Sequence, residues 1–143
     1  MAEDVAGVVR RFVDEVINSG KFDVVDELLA RDFVEHQEFP GLEPTREGVK
    51  KFFMMWREAF PDTACEIERL VADGDTVALY GSWSGTHQGE FMGAPGTGKR
   101  FSVPNADFIR VRDGLAVEHW GVFDSGLFVQ QLGIVPSMEA VGA

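Results

Sequence analysis

The sequence predicts an α+β domain: three helices at the front, a mostly antiparallel sheet of about four strands behind them, and a short helix at the end. Two patterns carry that prediction. Apolar residues recur at helical spacing up to Phe60, then alternate along most of the stretch to Asp124. Asp-Gly pairs fall between the alternating runs, at Asp73-Gly74 and Asp113-Gly114, and this is the strongest short-range hairpin signal.

Val5, Val8, Val9, Phe12, Val13, Val16 and Ile17 form the stripe of a first helix, with charges opposite. Gly20, in "NSGK", is a natural stop. Asp23 can cap a second helix that carries Val24, Val25, Leu28 and Leu29 and ends at His36. "EFPGLEP" is a loop, because two prolines and a glycine interrupt any period. Thr45 can cap a third helix with Val49, Phe52, Phe53 and Trp56 inward, and Pro61 marks its end. The strands are "CEIERLVA", "TVALYGSWSGTH", "RFSVPNADFIRVR" and "LAVEHWGVFD". "SGLFVQQLG" reads as a terminal helix closed by Gly133, with about eight residues of loose tail after it.

The chain has 143 residues, enough for one domain with an apolar core. Its net charge of -11 would repel nucleic acid and an anionic membrane surface. No stretch approaches the roughly 18 apolar residues of a membrane span. "MAEDVAGVVRRF" has acids first and no long apolar run, so it does not read as a secretory signal. The one cysteine, Cys65, cannot form an internal disulfide, which suits a reducing, cytoplasmic setting.

"GAPGTGKR" (93–100) matches the first seven positions of a phosphate-binding loop. Such a loop must lead into a helix, whose N-terminus faces the phosphates. Here a strand pattern containing a proline follows, and Arg100 stands where Ser or Thr would hold magnesium. The expected role is a glycine-rich connection between two long strands. Metal binding is not expected either, because the three histidines show no ligand spacing.

"FPD", "DGDTVA", "GTHQGEFMGAPGTGK", "FIRVRDGLAVEHW", Asp124 and "QQLG" occur in order over most of residues 59 to 133. This part of the chain resembles the SnoaL-like polyketide cyclase family, also called ester cyclases. "LLARDFVEH" and the aromatic third helix agree more loosely. The resemblance implies an NTF2-like cone, with the three helices in the concave face of a curved sheet and a deep apolar pocket. It implies a site without cofactor, in which a carboxylate removes a proton alpha to a carbonyl. The enolate then closes a ring by aldol attack, and the same group returns its proton to the new alkoxide. Related members of the superfamily isomerise ketosteroids, hydrolyse epoxides or only bind ligands. The resemblance also implies a homodimer paired through the open face of the sheet. The implied partner is a small apolar or aromatic carbonyl compound.

Several residues suit such chemistry. A carboxylate base needs partial burial, and an enolate needs nearby donors. Asp124, among aromatics in "WGVFDSGLF", is the expected base; the same position would also suit a helix N-cap. Alternation puts Glu118, Trp120, Val122 and Asp124 on one face and His119 on the other, unless a bulge intervenes. His119 is a candidate partner or an outer-face histidine, and Glu118 is a second candidate acid. His36 can donate at a pocket mouth or be merely exposed. His87 can be a pocket donor or a structural residue where the loop begins. Asn105 and Asp107 share one strand face and face either the pocket or water. Here the chain departs from the family's cyclases, in which a histidine serves on a comparable strand. Phe52, Trp56, Tyr80, Trp83, Phe108 and Trp120, with Phe53 and Phe101, are candidate walls of an aromatic cavity or plain core.

Overall fold

Asp4 accepts a hydrogen bond from the Gly7 N–H (2.9 Å) and starts α1, Val5–Arg11. The computed structural model describes residues 4–134, so the expected C-terminal tail lies outside the described residues. α1 continues as a wider π-helical turn, Phe12–Ile17, which keeps Val13, Val16 and Ile17 on the buried stripe with Val5 and Val9. Gly20 then reverses the chain at φ +69°, a value that favours glycine.

The second helix is shorter than the sequence predicts. α2 covers only Val24–Leu28, and Leu29–Glu35 forms a strand, β1. α3, Arg46–Ala59, is capped by Thr45, whose hydroxyl accepts from the Gly48 N–H (3.2 Å). Four long strands follow: β2 (Ala64–Asp73), β3 (Thr76–Thr86), β4 (Arg100–Arg112) and β5 (Leu115–Phe123). α4, Ser125–Leu132, ends at Gly133 in the left-handed conformation.

The sheet order is β1-β5-β4-β3-β2; β1 runs parallel to β5 and every other pair is antiparallel. Register shifts fall between Ile67 and Arg69 and between Arg110 and Val111. Bulges of this kind bend the strands and increase twist, so the sheet curves around its helices. Asn18 ties the start of edge strand β2 to the front helix: its side chain accepts from the Cys65 N–H (2.7 Å) and donates to the Cys65 carbonyl (3.0 Å).

Two clusters fill the concave side. One joins α1, α2 and the sheet through Val9, Val16, Val25, Leu28, Val77 and Val111. The other is aromatic and centres on Trp56, with Phe60, Phe101 and Phe128 buried around it. The Trp56 indole N–H donates to the Thr63 hydroxyl (2.8 Å), which satisfies its one polar atom. The glycine-rich segment 87–99 connects antiparallel strands β3 and β4, and no helix follows it, in keeping with the sequence reading. No helix among the described residues is long and apolar enough to cross a membrane.

Candidate acid–base site

β4 lies between β3 and β5, so its concave face looks into the middle of the domain. Alternation sets Phe101, Val103, Asn105, Asp107 and Ile109 on that face. Across to β5, Asp107 pairs with Gly121, and Ile109 pairs with His119. β1 reaches the far side of β5 with Glu35 level with His119, and the His36 N–H donating to the His119 carbonyl (2.9 Å) holds that alignment.

His119 therefore sits between two carboxylates. Its Nδ1 is 2.5 Å from Glu35 Oε2, and its Nε2 is 2.7 Å from Asp107 Oδ1. Asn105 Nδ2 donates to the other oxygen of Asp107 at 2.7 Å, and the Gln37 N–H donates to Glu35 Oε2 at 3.2 Å. A ring held protonated at neutral pH, as the raised pKa of His119 implies, donates from both nitrogens, one to each carboxylate. Burial by itself would lower the His119 pKa; the hydrogen bonds to Asp107 and Glu35, and their charges, outweigh it and hold the pKa at about 9. A charge buried without such partners would be very costly.

Gly121 makes room for this arrangement. A Cβ there would stand 2.5 Å from Asp107 Oδ1 and 2.7 Å from His119 Cε1. Real Cβ atoms essentially never come so close, so any side chain at 121 would displace the pair.

Glu35, Gln37, Asn105, Asp107 and His119 form the polar part of the wall of a cavity of about 120 Å³. The remainder is overwhelmingly apolar, with Phe33, Phe52, Phe53, Trp56, Trp83 and Ile17 among it. Phe39, on the loop after β1, stacks on Phe52 with centroids 4.0 Å apart. Cys65 also lines the cavity, but burial, with the charges of Asp107 and Glu66, pushes its thiol up to about 12. It is not a ready thiolate. Among the described residues, no three His, Cys, Asp or Glu side chains converge as ligands of a metal ion.

The structure separates the candidate residues by face, and several lie away from the cavity. Asp124 is exposed and caps α4, its Oδ1 accepting from the Leu127 N–H (3.0 Å). It is the helix cap rather than a buried acid, because β5 ends one residue earlier. Parity correctly opposes His119 to Glu118 and Trp120, but the cavity is on the His119 side. Glu118 lies on the outer face, bound by His36 Nε2 (2.9 Å) and Arg110 Nη1 (2.7 Å). The hydrogen bond from His36 chiefly holds its carboxyl below the usual range, with the Arg110 charge adding to it. His36 stacks on Trp120 in the same cluster, with centroids 4.7 Å apart. Tyr80 and Phe108 are exposed on that outer face as well. His87 is fully buried away from the cavity, where Nδ1 accepts from the Thr97 N–H (3.3 Å) and pins the glycine-rich connection.

Phe52, Trp56, Trp83, Asn105, Asp107 and His119 do line the cavity. Glu35 is the site residue that sequence reasoning misses. Its signal lies in "DFVEH", where Phe33 and Glu35 alternate as a strand does, inside the stretch that reads as the second helix.

A model of the SnoaL-like polyketide cyclase family matches residues 7–132. No curated protein matches the chain significantly. Among solved structures, the chain is similar to TsrD from Streptomyces laurentii (27% identity, TM-score 0.82, covering 92% of this chain and 96% of that one). It is similar to IdmH from Streptomyces antibioticus, a candidate polyketide cyclase (33% identity, TM-score 0.79, 92% and 99%). It is also similar to AclR from Streptomyces galilaeus, a candidate hydroxylase (29% identity, TM-score 0.79, 93% and 98%).

Proposed function

The chain belongs to the SnoaL-like polyketide cyclase family and has its NTF2-like fold, and from that premise we propose that it is a cofactor-independent acid–base enzyme. Its substrate is an apolar, polyketide-like carbonyl compound, and its reaction is an intramolecular aldol closure. Asp107, rather than Asp124, is the proton carrier. The observation that supports this reading is a carboxylate facing an apolar cavity with a cationic histidine bound to its far side.

A carboxylate has about four acceptor sites, and Asp107 uses one on each oxygen, for His119 and Asn105. The remaining sites can take a proton from a substrate carbon. As that proton moves, negative charge leaves Asp107 and appears on the enolate oxygen. The charge on His119 then stabilises the enolate as it stabilised the carboxylate, with little reorganisation. Glu35 orients the ring and balances its charge. The enolate attacks a second carbonyl, and Asp107 returns the proton to the alkoxide.

The test needs no natural substrate. The enzyme should exchange deuterium from D2O into the α-position of a simple cyclic ketone such as 2-tetralone, read by NMR. Asp107→Asn should slow the exchange at least ~100-fold, the usual worth of general acid–base catalysis. Equal exchange in both proteins would refute the assignment. Binding of the ketone without exchange would favour the alternative reading, a ligand-binding domain.

The outer face carries Tyr80, Phe108 and Val122 at 46%, 53% and 69% exposure; Tyr80 and Val122 flank Ala106 on β4, and Phe108 lies diagonal to both. An apolar patch of this kind supports a homodimer. The net charge and the single, buried cysteine support a cytoplasmic protein.

A further inference from the structure

Of the polar side chains on the cavity wall, four are engaged with one another. Glu35 and Asp107 hold the two ring nitrogens of His119. Asn105 gives its NH2 group to Asp107, and its own carbonyl oxygen is sealed from the cavity. Gln37 is the exception. Its backbone N–H is tied to Glu35 Oε2 (3.2 Å), but its side-chain amide has no hydrogen-bond partner among the described residues.

Gly121 shows where that amide lies. The point at which a Cβ on Gly121 would stand is 2.5 Å from Asp107 Oδ1, 2.6 Å from Gln37 Oε1 and 2.7 Å from His119 Cε1. The proposed base, its cation and an uncommitted amide therefore converge over one glycine.

When Asp107 takes a proton from a carbon, negative charge appears on the carbonyl oxygen two bonds, about 2.4 Å, away. In an apolar cavity that oxygen is costly to leave without a donor. His119 reaches it only through Asp107, because both of its ring nitrogens are bound to carboxylates. Trp56 gives its indole N–H to Thr63. Trp83 stands four residues along β3 from Leu79, the partner of Asp107, which is about 13 Å at the rise of a strand. Its stacking on Phe53 holds it there, and Cys65 lies beyond it, opposite Trp83 on β2. Gln37 is the side-chain donor left within reach. Its amide is neutral, so it can turn its NH2 group to an oxygen without forming an ion pair with Asp107, as a lysine would.

From this we infer that Gln37 is the oxyanion donor of the site. Its Nε2 binds the carbonyl oxygen of the substrate while the neighbouring carbon faces Asp107, and the bond strengthens as the enolate forms. The inference rests on the proposed reading of Asp107 as the proton carrier and adds a second group that touches the reacting atoms.

The experiment reads the carbonyl itself. 2-Tetralone labelled with carbon-13 at its carbonyl is bound to the whole protein, and the C=O stretch is recorded by isotope-edited infrared spectroscopy. In the wild type the band should lie below its position in cyclohexane, as a hydrogen-bonded carbonyl does. In Gln37→Leu and Gln37→Met it should return most of the way to that position. Gln37→Leu should also slow deuterium exchange by about 10–100-fold, the usual worth of a hydrogen bond to a charged group, chiefly in kcat with KM within a few-fold. A wild-type band at the cyclohexane position, a band that stays low in both variants, or undiminished exchange in Gln37→Leu would each overturn the inference. The wild-type band is readable even if neither variant folds. It needs no proton transfer, so a protein that lowers the band without exchanging deuterium keeps Gln37 as a carbonyl donor and loses Asp107 as the base. A protein that exchanges deuterium without lowering the band does the reverse.

Discussion

His119 is charged because two acids hold it, and that has a measurable consequence for stability. Its pKa of about 9 in the folded protein exceeds the unfolded value near 6.5. The stabilisation is therefore fully present below about pH 6.5 and is lost as pH rises through 9. Urea unfolding of the wild type should weaken by about 1–3 kcal/mol between pH 6.5 and pH 9.5. His119→Gln should remove most of that slope. A slope unchanged in the variant would assign the effect to other groups. Gly121→Ala tests the same pair from the opposite side. The added methyl would press on Asp107 and His119, so exchange activity should fall well before the fold is lost. Normal activity in that variant would mean that the pair does not have to keep its observed geometry.

At the scale of single elements, local signals are legible where chemistry is local. The valine stripe of α1, the Thr45 cap and the Asp113-Gly114 turn lie where short-range rules put them, and the first hairpin turns one residue later than its Asp-Gly pair, at Gly74-Asp75. β1 is not legible, because a short parallel strand is stabilised by a partner more than eighty residues away and carries no turn of its own. Missing β1 also hides Glu35. Alternation separates the strand faces correctly but assigns them the wrong way round for β5. Trp120, Phe108 and Tyr80 make the outer face as aromatic as the inner one, so hydrophobicity cannot say which side is inside. Asp124 illustrates the same limit. Its surroundings in sequence suit a cap and a base equally, and only the end of β5 decides between them. Asp124→Ala should cost about 1 kcal/mol through the lost cap. Asp124→Asn should cost almost nothing, since asparagine caps as well. Thermal unfolding of the two variants checks this, and equal stability would deny the cap its role.

For the whole molecule, the curved sheet divides two kinds of surface. Its concave side holds the cavity with its buried ions, and its convex side presents Tyr80, Phe108 and Val122 next to the His36–Glu118–Arg110 cluster. A second copy covering this face would bury the apolar patch, including Val122, which also lines the cavity. Sedimentation at micromolar concentration should report a dimer, and Phe108→Glu should shift it toward monomer. A wild-type monomer would contradict the pairing without touching the site.

The central claim is that proton transfer belongs to the acid held by His119 and not to the one that caps α4. The most direct measurement is α-deuterium exchange into 2-tetralone by Asp107→Asn and Asp124→Asn, assayed beside the wild type. The expected result is a loss of at least ~100-fold for Asp107→Asn and a rate within a few-fold of wild type for Asp124→Asn. The opposite order, with Asp124→Asn inactive and Asp107→Asn active, would contradict it.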